Sequence, residues 1–195
     1  MVVSQLLTLF SVVPIMKKFL FAPLLAALAM FFWGFVYYGL SGIPYKVLGT
    51  VGDIGPELTK LFPADGTYIL PDPRGAPEVI SEQMKRGQFA TVHIKKSGVP
   101  EMDPAVMGKG FALEFITCLL LAFMVNKAAP SFQGFGGRVL FSLTLGVLLT
   151  LFANGGQAIW WHQDWGWHGM TMLHDVVAFL LAGVVIALFH TPKST

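Results

Sequence analysis

Four long apolar stretches constrain this 195-residue chain more than any other feature of its sequence. They run over residues 19–40, 110–125, 139–160 and 172–189. A helix needs about 20 apolar residues to cross the hydrocarbon core of a bilayer, and lipid offers no partners to backbone groups left unpaired. The sequence therefore predicts an all-α membrane protein with a bundle of four transmembrane helices.

The starts of two of these helices are predicted from capping residues. The second stretch is short, but Asp103 can cap a helix and Pro104 suits its first position, where a missing N–H costs little. We therefore expect that helix to begin ahead of Gly110. For the fourth helix we expect a start near Met172, with Thr171 as its cap.

Charged residues are concentrated in one long segment. Eight acidic and eight basic residues, out of 11 and 13 in the chain, lie between Ser41 and Gly110. Because the two signs balance, no basic stripe remains for a nucleic acid, and no nucleic-acid partner is expected. The single cysteine, Cys118, rules out an intramolecular disulfide and is expected to be a small buried side chain.

The short connections between the stretches predict the orientation, because Lys and Arg in such connections favour the cytoplasmic side. Outside the long segment the basic residues are few: Lys17, Lys18, Lys127, Arg138 and Lys193. The connection between the third and fourth stretches carries neither Lys nor Arg. We therefore expect a multi-pass protein of the cell membrane, with both termini in the cytoplasm and residues 41–109 outside.

The chain divides into an N-terminal extension, a first transmembrane helix, an extracytoplasmic loop domain, three further helices and a cytoplasmic tail: residues 1–15, 16–40, 41–109, 110–190 and 191–195. The extension is inferred because "MKKFLFAPLL", from Met16, has the basic and then apolar form of a natural start. An Ala-x-Ala arrangement at residues 27–29 leaves a cleaved signal peptide as an open alternative.

The loop domain is predicted to be a small α+β region, because a connection this long rarely lacks structure of its own. "GTYIL" at 66–70 and "QFATVHI" at 88–94 predict short strands, with a short helix in "PEVISEQMKRG" between them. "KKSG" at 95–98 predicts a turn. His93 alternates with apolar neighbours on the second strand and is expected to be a surface or packing residue.

Histidines, tryptophans and acids gather in and around "WWHQDWGWHG", residues 160–169, at the predicted outer side. One hypothesis is a copper or zinc site with three histidine ligands, His162, His168 and His174. Asp164, Glu114 or Met170 and Met172 are the further ligands that this hypothesis allows. Residues six apart are rotated by roughly 120° on a helix, so these histidines share no helical face. The alternative is an interfacial belt of aromatic rings with solvated histidines.

Glu114 lies inside the second apolar stretch, about one turn beyond Lys109. One interpretation is a carboxylate paired with Lys109 or His174 near the membrane surface. The other is a proton or cation relay, since ionisable groups at membrane depth indicate function by default. Glu114, Asp164 and Asp175 form the candidate proton or polar cluster.

Two glycine-rich stretches are predicted to have structural roles. "GFGG" at 134–137 is expected to form a turn, and "NGG" at 154–156 to allow close approach of helices.

Serine-nucleophile motifs, closely paired carboxylates and H-E-x-x-H are missing from the sequence, so no catalytic residue is predicted. No particular cofactor is indicated.

The chain resembles a group of small bacterial integral-membrane proteins of uncharacterised activity, with four spans and a folded loop after the first. The motifs that carry this resemblance are "FFWGFVYYG", "GTYILP", "ATVHIKKSG", "GFALEF" and "FLLAGVVIALF". The resemblance implies the architecture and no particular activity.

The sequence favours an accessory or scaffold protein without catalytic activity of its own. Its expected partners are the lipid bilayer and other membrane subunits or further copies of itself. Two alternatives stay open: a metal- or cofactor-binding protein with its site at the outer helix ends, and a small transporter or channel component that acts as an oligomer.

Overall fold

The computed structural model describes residues 20–100, 102–131 and 134–189. In this part of the chain the helices and strands are, in order, α1 (Leu20–Leu40), α2 (Gly55–Leu61), β1 (Gly66–Leu70), α3 (Pro77–Lys85), β2 (Ala90–Ile94), α4 (Pro104–Ala128), α5 (Gly134–Trp160) and α6 (Trp165–Phe189). The predicted N-terminal extension, the lysines before α1 and the C-terminal tail lie outside the described residues.

Four of these helices, α1, α4, α5 and α6, are long and apolar enough to cross a membrane, as predicted. Short 3₁₀ helices at Ile43–Val47 and Ala129–Ser131 follow α1 and α4. The described chain is therefore mostly helical, with one small two-stranded sheet.

The fourth long helix begins earlier than predicted. It starts at Trp165, so most of the tryptophan-rich stretch is helical. Its cap is Asp164, whose Oδ1 accepts a hydrogen bond from the Trp167 amide at 2.8 Å. The predicted cap was wrong: Thr171 lies inside the helix, and its hydroxyl donates to the Trp167 carbonyl at 3.1 Å. A side chain that accepts the third amide of a helix is the stronger start signal.

The predicted start of α4 is confirmed, whereas that of α5 is not. Helix α4 begins at Pro104, as the Asp-Pro pair predicts. Helix α5 begins at Gly134, five residues before the predicted start at residue 139, so the turn predicted for "GFGG" at 134–137 was wrong beyond its first residue. The φ of 70° at Gly134 is the left-handed conformation that favours glycine where the helix begins. Helix α1 ends in a π-helix over Phe35–Leu40.

The chain forms two compact units, and the first is the helix bundle. It comprises the described residues up to Leu48 together with those from Pro104 onward. Small side chains dominate its core, which is formed by Ala26, Ala27, Met30, Cys118, Leu121, Ala122, Val125, Ala178, Ala182 and Ile186. Small residues let helix backbones approach closely, which is the usual basis of packing in lipid.

The tightest helix contacts lie between α5 and α6. A Cβ atom at Gly146 would lie 2.4 Å from the Cβ atom of Phe179, and one at Gly183 would lie 2.5 Å from the Cβ atom of Ser142. Gly155, in the predicted "NGG" contact, faces Met172 at an ordinary 3.8 Å. The close approach therefore depends on glycines other than those predicted.

The second unit, Gly49–Asp103, is the loop unit. Its strands pair antiparallel, with Gly66 opposite Ile94 and Leu70 opposite Ala90. Both strands and the helix between them were predicted, whereas α2 was not. The predicted turn is also present, because the amide of Gly98 donates to the Lys95 carbonyl at 3.0 Å.

Exposed polar contacts join separate segments of the loop unit. The carboxylate of Asp65 pairs with Lys95 and accepts the Ser97 hydroxyl at 2.9 Å. These partners lower the pKa of Asp65 to about 2, the hydrogen bond from Lys95 having the largest effect. A hydrogen bond from Arg74 likewise lowers the pKa of Asp72 to about 2.

Candidate functional site

A row of polar side chains on α5 faces α6. Thr150, Asn154 and Gln157 are spaced by four and three residues, which places them on one helix face. The Thr150 hydroxyl donates to Asp175 Oδ2 at 2.9 Å, and the Asn154 amide donates to the same oxygen at 3.2 Å. Asn154 also donates to the Thr150 hydroxyl at 2.9 Å.

His168 extends this network toward the turn between α5 and α6. The side chain is buried, and its Nδ1 lies 3.1 Å from Asn154 Oδ1. Its Nε2 lies 2.8 Å from Gln163 Oε1, and the Gln163 amide donates to Gln157 at 3.2 Å. Hydrogen bonds thus connect the α5–α6 turn to Asp175 inside the bundle.

His174 is the second histidine of the network, and it is enclosed by aromatic rings. Its Nδ1 lies 3.0 Å from Asp175 Oδ1. The Trp33 ring stacks on it with 6.3 Å between centroids, and the Tyr37 and Tyr38 rings lie at 5.5 and 4.9 Å. All three aromatic residues belong to α1, so α1 fixes the orientation of a side chain on α6.

Two hydrogen bonds to backbone carbonyls fix the register of α1 on α6. The Trp33 indole donates to the His174 carbonyl at 3.1 Å, and the Tyr37 hydroxyl donates to the Met170 carbonyl at 2.9 Å. Donors and acceptors are each four residues apart, which is about one helical turn on both helices.

Glu114 on α4 interacts electrostatically with His174, which was one of its two predicted partners. Within the described residues, Glu114 Oε2 and His174 Nε2 are both buried and have no hydrogen-bond partner. Gly34 on α1 packs beside the His174 ring, since a Cβ atom at this position would lie 3.5 Å from His174 Nε2.

The predicted site residues divide into two groups. Glu114, His168, His174 and Asp175 belong to one polar region of the bundle. Asp164 caps α6 instead, and His162 is exposed in the preceding turn with a φ of 50°. Across the described ranges, no group of three or more His, Cys, Asp or Glu side chains could hold a metal ion, so the three predicted histidines do not converge.

Three further sequence predictions concern the burial of Cys118, the place of His93 and the exposure of the tryptophans. Cys118 is buried, with its Sγ 3.4 Å from Met30 Sδ. His93 is exposed on β2, with its Nδ1 2.8 Å from the Thr67 hydroxyl. Trp160 and Trp165 are largely exposed on the hairpin.

Several residues of the site were not predicted. Thr150 could have been found from its spacing with Asn154 and Gln157, since polar residues on one face of an apolar helix indicate a polar partner. Trp33 and Tyr37 gave no such signal, because aromatic residues near a membrane surface are expected whether or not they contact another helix.

No protein-family model, curated protein or solved structure matches the chain. Its function is therefore inferred from its own residues.

Proposed function

We propose that the protein is an accessory or scaffold protein of a bacterial cytoplasmic membrane, without catalytic activity of its own. In this proposal the loop unit lies on the outer side, both termini lie in the cytoplasm, and the loop unit binds the outer part of another membrane protein.

The observation that supports this proposal is the exposure of apolar side chains in the loop unit. Among its described large hydrophobic residues, only Phe62 is buried in the core. The exposed ones are Val51, Ile54, Leu61, Leu70, Val79, Met84, Val99 and Met102. Small domains already have little core, and apolar surface of this extent is typical of a region that another protein covers.

Orientation supports the same function. Lys127 and Arg138 flank the connection between α4 and α5, and the α5–α6 turn carries no Lys or Arg. Because basic residues of short connections favour the cytoplasm, the opposite side, with the loop unit, is expected to face outward. A partner with an extracytoplasmic surface is therefore the expected occupant.

Site-specific photocrosslinking in intact cells tests this function. A photoreactive residue is introduced at Leu61 or Val99, which are both 75% exposed. We expect both positions to give one discrete adduct with the same membrane protein. A photoreactive residue at Ser81, on the exposed surface of α3, is the matched control and is expected to give little of that adduct.

Adducts only with lipid, or only with a second copy of the chain, would contradict the scaffold function. Equal yields at Ser81 and Leu61 would also contradict it, since they would indicate random collisions rather than a defined surface.

A second candidate is a transporter or channel component that acts as an oligomer. The partly buried Glu114, His174 and Asp175 of the bundle favour it, because ionisable groups inside a membrane protein mark ion and proton pathways. Ion or proton flux into liposomes that contain the purified protein is the direct measurement. This candidate requires flux in the unaltered protein and its loss in Glu114→Gln.

A further inference from the structure

We propose that the N-terminus of α5 binds a phosphate-bearing anion, which is held by the backbone amides of its first turn and by the side chain of Arg138. The site goes beyond the accessory function and does not depend on it. It also lies at the other end of α5 from the turn that carries the polar network. The phosphate belongs either to the headgroup of an acidic phospholipid or to a free phosphate compound, since both present the same oxygens.

Arg138 is a buried side chain without a partner in the described chain. It is only 7% exposed, and its Nε is buried and forms no hydrogen bond among the described residues. The ion pairs found in the same part of the chain do not include it. Guanidinium groups stay charged in proteins, and a buried charge without a counter-charge is costly. An added anion would remove that cost.

The position of Arg138 on α5 places it in the contact with α6. Ser142, one turn later on the same face, packs so closely on α6 that a Cβ atom at Gly183 would lie 2.5 Å from its own Cβ. The two helices run antiparallel, so four residues back along α5 correspond to four residues forward along α6. Arg138 therefore lies opposite the last turn of α6, near Ala187, which is buried as well.

The direction of the Arg138 side chain follows from helix geometry. Side chains of an α-helix lean toward its N-terminus, so a residue covers the turn before its own Cα. Arg138 is the fifth residue of α5, and the turn before it begins at Gly134. A Cβ atom at Gly134 or at Gly136 would meet nothing within 4 Å in the described chain. The first turn of α5 therefore has open space beside its backbone.

The first turn of α5 has donors of its own. The first four amides of an α-helix lack acceptors within the helix, and here they belong to residues 134–137. The same end carries the positive pole of the helix dipole, and the first turn contains no acidic residue to offset it. Amides and dipole together make a helix N-terminus suited to phosphate. The unpaired charge of Arg138, one turn away, adds to both.

Phosphate fits these donors better than a carboxylate does. A guanidinium group donates two parallel hydrogen bonds to phosphate oxygens, and a phosphate has further oxygens to accept backbone amides from another direction. An acidic phospholipid is one source, because headgroups lie at the ends of apolar helices and basic residues there attract them. Lys127 on α4 is a second basic residue beside the α4–α5 connection, but it is exposed.

Thermal unfolding of the full chain in phosphate-free detergent tests the site. Inorganic phosphate is titrated in one arm, with chloride holding the ionic strength constant. Phosphatidylglycerol is titrated in the other, against diacylglycerol with the same acyl chains and no phosphate. We expect a saturable rise in the unfolding temperature in at least one arm, because a ligand of the native state stabilises it. A rise with phosphatidylglycerol alone assigns the site to a lipid headgroup, and a rise with inorganic phosphate assigns it to a free compound.

Matched variants separate this site from general attraction of anions. Arg138→Gln should weaken anion binding at least ~10-fold, the usual effect of losing a hydrogen bond to a charged group. Lys127→Gln removes the same charge from an exposed residue and should bind as the unaltered chain does. Gly136→Asp puts a carboxylate into the open space of the first turn, so it should fold normally and lose anion binding.

Unfolding without the anion distinguishes ligand binding from a structural role of Arg138. Arg138→Gln removes a buried charge without a partner in the described chain, so its unfolding temperature in phosphate-free detergent should equal or exceed that of the unaltered chain. A structural role would lower it, because breaking a buried ion pair is strongly destabilising.

Four results would overturn the site. One is the absence of an Arg138-dependent rise in both arms, and another is an equal rise with diacylglycerol. A third is an equal loss of binding in Lys127→Gln, or unchanged binding in folded Gly136→Asp. The last is a lower unfolding temperature of Arg138→Gln without the anion.

Discussion

The helix bundle and the loop unit are held together in different ways. In the bundle, small residues such as Gly146 and Gly183 allow close helix contacts, and buried polar groups of α5 and α6 bond to each other. In the loop unit, two strands pair through their backbones, an exposed ion pair joins Asp65 to Lys95, and only Phe62 of the described large hydrophobic residues is buried. In a membrane, lipid would cover the apolar outside of the bundle, whereas the loop unit, if it lies in water as proposed, would need a protein partner for its apolar surface.

The largest expected effect concerns the side of the membrane on which each unit is exposed. The contrast between the two units depends on the loop unit lying outside the cell. In a Cys118→Ser background, a cysteine at Ser97 should react with a membrane-impermeant reagent in intact cells, while one at Ser131 should react only after lysis. The effect is all-or-none, because the reagent does not cross the membrane. Labelling with the opposite pattern would place the loop unit in the cytoplasm and remove the proposed outer partner.

Close packing in the bundle gives the next largest effect. Gly146→Ala places a Cβ atom against the Cβ and Cγ atoms of Phe179, at 2.4 and 2.7 Å, and the first of these is fixed to the backbone. We expect a loss of about 3 kcal/mol in the free energy of unfolding, the upper end of what overpacking costs. Titration with a denaturing detergent measures it.

Gly169→Ala is the control for this variant, since a Cβ atom at Gly169 meets nothing within 4 Å. It should leave the free energy of unfolding unchanged or raise it slightly. Equal losses in both variants would mean that helix flexibility, and not contact with Phe179, explains the effect.

The partly buried hydrogen bonds between α5 and α6 should contribute less to the free energy of unfolding than the packing at Gly146 does. Asn154→Ala removes the amide that bonds Thr150, Asp175 and His168. We expect about 1–3 kcal/mol of destabilisation, because three partly buried hydrogen bonds are lost at once. The control is Thr144→Ala, whose hydroxyl bonds only to its own helix at Leu140 among the described contacts and which should change stability little. A result near zero for Asn154→Ala would mean that water replaces the lost bonds.

The smallest effect is expected in the loop unit, from the exposed ion pair of Asp65. Its pKa is lowered to about 2 by Lys95 and Ser97, so its stabilising contribution is present above the ordinary value of 3.8 and is lost as pH falls toward about 2. The amide signal of Gly98, followed by NMR, should therefore shift over this range. Asp65→Asn should abolish the shift, and Asp72→Asn should leave it in place.

The long helices and both strands were predictable because each depends on a local pattern. Twenty apolar residues in a row need no distant partner to specify a helix in lipid. Alternating residues bounded by Gly and Pro similarly specified β1 and β2. The start of α6 was mispredicted because two capping residues, Asp164 and Thr171, were both in reach of the apolar run. Their hydrogen bonds, which the sequence does not contain, decide between them.

The candidate site was predictable only in part. Glu114, His174 and Asp175 were recognised individually, since ionisable residues are rare in apolar helices. The sequence grouped Glu114 and Asp175 with Asp164 and offered His174 as a partner of Glu114, but the enclosure of His174 by Trp33 and two tyrosines was not predicted. Hydrogen-bond partners of His168 also could not be read from a pattern, because they belong to α5 and to the turn.

By itself the sequence determined how many long apolar helices this protein has, where its strands lie and which residues are chemically unusual. Those properties follow from the length and periodicity of neighbouring residues. Only the tertiary structure decided that His174 on α6 lies among the Trp33, Tyr37 and Tyr38 rings of α1 and that Thr150 and Asn154 of α5 bond to Asp175. Such contacts depend on how each helix is rotated and shifted against the others, and the packing of side chains between helices sets both.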